Sequence, residues 1–233
     1  DGMSDIAYEK GATFLRTIEA AVGRERWDAY LKDYFDRHAF QPQTSAGFLS
    51  DLREHLLKGD VALDQKIRID EWVYQPGLPD NAVHVVSPLL AAIDQSAAAF
   101  ATKGITAADV KDWNTSQRVR FLNRLPRKLG AAQLASLSQA MNLDAQRNSE
   151  VRFAWLRLAI ANRYPPAVAN LEDFLTGMGR RKFVLPLFTD LVAQGDWGRP
   201  LAQRIYAAAR PGYHPVTVGS VDKVVKLEAA EAH

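Results

Sequence analysis

Apolar residues recur at helical spacing along nearly the whole chain, and one seven-residue stretch interrupts them. Phe14, Leu15, Ile18 and Val22 form a single stripe that stops at Gly23, a predicted C-cap. A second helix is predicted over 25–38, around Trp27, Tyr30, Leu31, Tyr34 and Phe35. A third is predicted over 44–57, around Phe48, Leu49, Leu52 and Leu56, and a short fourth over 63–72. Tyr74-Gln75-Pro76-Gly77-Leu78-Pro79-Asp80 then ends the pattern, because two prolines and a glycine so close together cannot continue a helix. This divides an all-α chain into residues 1–75, a linker at 76–86, and residues 87–233.

Beyond the break the helical spacing returns in short pieces. They are predicted at 88–101, 107–113, 117–129, 131–141, 150–163, 165–175, 182–193 and 200–209. Thr106 and Asp109 have the spacing of a capping box, and Pro165-Pro166 suits a first helical turn, where an amide hydrogen would be unpaired anyway. Short amphipathic helices joined by tight turns predict antiparallel pairs stacked as an α-solenoid of HEAT or armadillo type, although no fixed repeat period is visible. Weak strand signals at 216–218 and 221–227 predict extended chain near the C-terminus.

Composition narrows the function classes. Apolar residues make up 47% and charged residues 24% of the 233, which is ordinary for a globular protein and not for a disordered one. No apolar run approaches the roughly 20 residues needed to span a bilayer. A net charge of +2 provides no global field for nucleic acid or an anionic membrane, so any anion site must be local. The absence of cysteine excludes disulfides and thiolate metal sites and leaves the compartment open. Asp1-Gly2-Met3-Ser4-Asp5 has neither a basic n-region nor an apolar h-region. The five histidines, at 38, 55, 84, 214 and 233, form no H-x-x-x-H pair, and H-E-x-x-H, G-x-S-x-G and phosphate-loop motifs are absent.

Two features carry candidate chemistry. Arg180-Arg181-Lys182 opens a predicted helix, where three cations oppose the positive end of the macrodipole unless an anion sits among them. The plain reading pairs them with Glu172, Asp173 or Asp190. The sharper one is an anion site in which arginine offers a planar fork and lysine a point charge. Tyr8, near the start of the first helix, reads most simply as a packing residue, but a phenol can also donate a hydrogen bond to a developing oxyanion.

Tyr8-Glu9-Lys10-Gly11, Trp72-Val73-Tyr74-Gln75-Pro76-Gly77-Leu78-Pro79, Val151-Arg152-Phe153-Ala154-Trp155-Leu156-Arg157, Gly179-Arg180-Arg181-Lys182-Phe183 and His214-Pro215-Val216-Thr217 follow one another in a telling order. Together they resemble the C-terminal part of the M1 zinc aminopeptidases, in the branch that includes leukotriene A4 hydrolase. The resemblance implies that residues 1–75 are the last helices of a thermolysin-like catalytic lobe and that 87–233 are the helical C-terminal domain. It further implies that Tyr8 stabilises the oxyanion of peptide hydrolysis and that Arg180 and Lys182 hold the substrate's free carboxylate. Arg181 falls at the variable position of that motif, and His214 to Thr217 reads as a structural turn.

The same resemblance implies one zinc in the parent enzyme, with all of its ligands outside this chain, so that the isolated chain is inactive. Its implied partners are short peptides and the upstream catalytic half, and cytoplasm is favoured over periplasm. The lipid-hydrolysing member of the family has a second tyrosine five residues before the first. Met3 stands at that position of the pocket here, which favours peptide over lipid epoxide hydrolysis. The competing expectation is a non-catalytic α-solenoid that docks acidic peptides. Half of a split lobe is expected to bare apolar surface around 8–22 and 44–57.

Overall fold

The computed structural model describes residues 5–84 and 86–226. The chain folds as two compact units, Asp1–Val85 and Val86–His233, each with its own apolar core.

The first unit begins with α1 (Asp5–Val22), which ends where Gly23 adopts φ 86° and its N–H closes onto Glu19. It continues with α2 (Arg24–Arg37) and α3 (Ser45–Asp51), the latter capped by the Thr44 side chain. The helix predicted over 44–57 is continuous, but it widens into a π-helical turn at Leu52–Leu57. That turn closes when the Lys58 N–H reaches back five residues to Arg53. The helix predicted over 63–72 is instead two, α4 (Val61–Ile67) and α5 (Ile69–Tyr74). Arg68 separates them in a left-handed conformation, and its guanidinium is anchored by Glu71 and Asp80. Phe14 and Trp72 stack at 5.5 Å in the core, with Ile18, Leu52, Leu56 and Ile67 around them.

After α5 the chain passes through bends at 75–77 and a turn closed by Ala82 N donating to the Pro79 carbonyl, and side chains pin it down. Asn81 accepts from the Trp72 indole and donates to the carbonyls of Lys66 and Ile67, while Thr17 Oγ1 accepts from Val83 N. Large apolar side chains exposed on α1 include Ile6, Tyr8 and Leu15, whereas Leu49, Leu52, Leu56 and Leu57 are all buried. The apolar surface expected around 44–57 is therefore turned into the unit's own core.

The second unit contains α6 (Pro88–Lys103), α7 (Ala107–Val110), α8 (Thr115–Arg124), α9 (Ala131–Met141), α10 (Ser149–Ala161), α11 (Val168–Gly177), α12 (Arg181–Ala193), α13 (Gly198–Ala209) and α14 (Pro215–Val221). Alternate helices pack side by side: α6 on α8, α8 on α10, α10 on α12, and α12 on α14. In the other row α7 packs on α9 and α11 on α13. Two rows of this kind are the arrangement of an α-solenoid, and one continuous core runs between them from Phe100 and Phe121 through Trp155 to Phe188 and Tyr206. All described regular structure is helical, and no described helix is long and apolar enough to cross a membrane.

Several boundaries shift for local reasons. Helix α8 ends at Arg124 rather than 129, because Pro126 forces Leu125 into an extended conformation (ψ 147°). A short 3-10 turn, Pro165–Ala167, precedes α11. The extended segments predicted at 216–218 and 221–227 are not formed up to the last described residue, Lys226. Pro215 starts α14 instead, His214 caps it by accepting from Val216 N, and Thr217 and Val221 are buried on its inner face. The β-branched residues thus follow the proline and the packing, not their strand propensity.

Candidate anion clamp and hydroxyl donor

Gly179 breaks from α11, and Arg180 adopts an extended conformation as N-cap of α12. Arg181 and Lys182 are the first two helical residues, so the three cations do stand at a helix N-terminus. The carboxylates that the sequence offered as partners are engaged elsewhere. Glu172 binds Arg204 at 2.7 Å, Asp173 binds Arg152 at 2.8 Å, and Asp190 binds Arg157 at 2.6 Å. Lys182 instead pairs with Glu150 in the first turn of α10. Arg181 turns the other way, its Nε donating to Ser220 Oγ on α14 at 2.8 Å.

Arg180 has no hydrogen-bonding or ion-pair partner among the described residues. Its guanidinium lies 5.9 Å from the centre of the Phe183 ring, and Lys182 Nζ lies 5.0 Å from the same centre. Phe183 is buried and held edge-on by Phe153 and Phe174, so one fixed ring locates both cations. Thr217 Oγ1 donates to the Gly179 carbonyl and fixes the turn before Arg180. This places the His214 to Thr217 segment at the base of the cluster, a contribution that sequence order alone did not reveal. The arrangement can bind a carboxylate through a guanidinium fork with an ammonium nearby.

In the first unit, Tyr8 is 80% exposed on α1 and makes no hydrogen bond among the described residues. Its neighbours Ile6, Glu9, Lys10 and Thr13 occupy a different helical face. They line a groove of about 640 Å³ with residues 75–78, across which Lys10 Nζ donates to the Gln75 carbonyl at 2.6 Å. Met3, the remaining candidate, lies outside the described residues.

Among the described residues the histidines do not assemble a metal centre. His38 Nε2 lies 2.9 Å from Asp51, His55 faces the same carboxylate at 3.8 Å, and His214 is a helix cap. Among the described residues no three His, Asp or Glu converge in a way that could hold a metal. The described residues do not fit a zinc ion.

A family model described as "Leukotriene A4 hydrolase, C-terminal" matches residues 113–225. That segment is similar to the C-terminal domain of leukotriene A4 hydrolase. Similarity reaches well beyond the matched segment. Mouse (Mus musculus) aminopeptidase B is 27% identical over 240 residues, covering 97% of this chain, and leucine aminopeptidase 2 of Neurospora crassa is 28% identical, covering 99%. Native yeast LTA4 hydrolase superposes with a TM-score of 0.79 at 26% identity over 97% of the chain, and the yeast enzyme bound to bestatin with 0.81. This leukotriene A4 hydrolase-like region spans 37% and 35% of the lengths of the two aminopeptidases and 40% of each yeast chain.

Proposed function

We propose that this chain forms part of an M1 aminopeptidase that removes N-terminal residues from short peptides, and that it supplies two elements contacting the substrate. The observation that carries the reading is the pairing pattern at the start of α12. Neighbouring carboxylates are claimed by other arginines, which leaves Arg180 without an anion and Lys182 with only a half-exposed one.

In this reading the Arg180 fork binds the peptide's C-terminal carboxylate bidentately, and Lys182 adds a point charge. A carboxylate held at a fixed place selects peptides of a set short length, such as tripeptides, and holds the scissile bond in register. Tyr8 donates its hydroxyl to the oxyanion of the tetrahedral intermediate. Residues 1–75 then belong to the catalytic lobe and 87–233 to the helical C-terminal domain. The zinc of the parent enzyme finds no ligands among the described residues, and none of these steps runs through it.

The test uses the full-length enzyme that carries this region. Tyr8→Phe is expected to lower kcat about a hundredfold to a thousandfold. Arg180→Ala is expected to raise KM for peptides with a free carboxylate about tenfold or more, the size of a charge-assisted hydrogen bond. Near-normal turnover in both variants would reject the assignment and leave a helical scaffold that docks acidic peptides.

A further inference from the structure

Glu150 occupies a defined position. Its backbone N–H and that of Val151 donate to the Asn148 side chain at 3.0 and 3.3 Å, capping α10. From this fixed first turn its carboxylate crosses to Lys182 in the first turn of α12. Phe153 and Phe183 meet at 5.3 Å just beneath, locking the two helix starts together. Glu150 therefore stands where a second carboxylate bound by Lys182 would have to approach.

We infer that Glu150 is an internal competitor for the peptide carboxylate, holding Lys182 when the site is empty and returning to it as product leaves. This rests on the clamp proposed for Arg180 and Lys182. Two carboxylates hydrogen-bonded to one ammonium lie roughly 5–6 Å apart, close enough to repel. Glu150 must swing away for a peptide to bind. It can do so readily, because the Lys182 and Glu150 side chains are 49% and 43% exposed and such pairs are weak.

The chemistry gives this exchange a purpose. Removing an N-terminal residue leaves the C-terminal carboxylate intact, so the shortened peptide keeps the group that the clamp grips. A tight clamp would retain product, and a carboxylate ready to reclaim Lys182 weakens that grip. A peptide ending in a neutral amide has no charge with which to displace Glu150, so its binding is indifferent to the exchange.

The experiment compares the full-length enzyme with its Glu150→Gln, Lys182→Met, Arg180→Ala and Glu150→Gln/Lys182→Met variants. Substrates are a tripeptide and its C-terminal amide, with the corresponding dipeptide acid as inhibitor. Glu150→Gln is expected to lower KM for the acid and Ki for the dipeptide about twofold to fivefold, the range of an exposed ion pair. The amide should be unaffected, and the gain should vanish in the Lys182→Met background. An unchanged or raised KM in Glu150→Gln, with Lys182→Met still selectively weakening the acid, overturns the competitor role and leaves the clamp standing. Equal effects of Lys182→Met and Arg180→Ala on acid and amide remove the clamp itself, and Glu150's role with it.

Discussion

The Tyr206 hydroxyl donates to Asp222 Oδ1 at 2.6 Å, tying α13 to the end of α14. Arg210 binds the same carboxylate with Nε and a terminal nitrogen at 3.0 and 2.9 Å. The Arg210 hydrogen bond, followed by that from Tyr206, lowers Asp222 to about 2, while burial and then the bond to Asp222 push Tyr206 up to about 12.

These shifts contribute a pH dependence at both ends of the range. A carboxylate with a depressed folded pKa contributes stability above its unfolded value, and this is lost as pH falls from about 4 toward about 2. A phenol with a raised folded pKa contributes below pH 10, and this is lost as pH rises toward about 12. Tyr206→Phe should cost about 1 kcal/mol and weaken the alkaline loss, while Arg210 preserves much of the acid one. Thermal melts across the pH range check both arms, and a variant with an unaltered alkaline limb would refute the assignment.

Asp51 in the first unit is only 7% exposed and receives Tyr30, Arg37 and His38. Burial alone would raise its pKa, but the bonds from Arg37, His38 and Tyr30 outweigh it and bring it below the usual value. Its contribution is therefore present at neutral pH and lost as pH falls through the depressed value. Asp51→Asn should destabilise by about 2–3 kcal/mol, below the range for a fully buried pair because Arg37 is partly exposed. Urea unfolding monitored by the tryptophans checks this, since Trp27 and Trp72 both lie in this core.

The clamp proposed for Arg180 and Lys182 carries an opposite expectation for stability. Arg180 and Lys182 sit at the positive end of α12, where cations are unfavourable. Arg180→Ala should therefore leave the melting temperature unchanged or slightly higher while peptide binding falls. A variant that loses activity and melts markedly lower would mark Arg180 as structural.

Gly198 tests the packing of α13 against α12. A Cβ built there would lie 1.9 Å from the Leu191 carbonyl oxygen, a backbone atom that cannot step aside. Gly198→Ala should destabilise the second unit by about 1–3 kcal/mol, seen as a lower melting temperature. Gly179→Ala, with nothing within 4 Å, is the matched control.

Helix positions were legible in the sequence wherever an apolar stripe ran uninterrupted, as over 131–141, where α9 matches the prediction residue for residue. Prediction failed where tertiary contacts overruled local preference. Arg68 breaks a helical stripe because its left-handed turn lets it bind Glu71 and Asp80, and the second of these is twelve residues away. Of the strand-like valines after Pro215, Val216, Val218 and Val221 became helix because the proline starts one and Thr217 and Val221 find burial on it, while Val224 and Val225 lie in the turn beyond it. The candidate cations were legible as a motif, but their partners were not.

The sequence by itself determined an all-helical chain, the break after Tyr74, and the identity of the hydroxyl and the cations on offer, since periodicity, proline and motif order are local properties. Only the tertiary structure decided which carboxylates reach which cations. It gave Glu172, Asp173 and Asp190 to other arginines, left Arg180 over Phe183, and set Glu150 against Lys182. Such pairings depend on which helices become neighbours, and burial of the shared core fixes that, not any signal carried by the charged residues themselves.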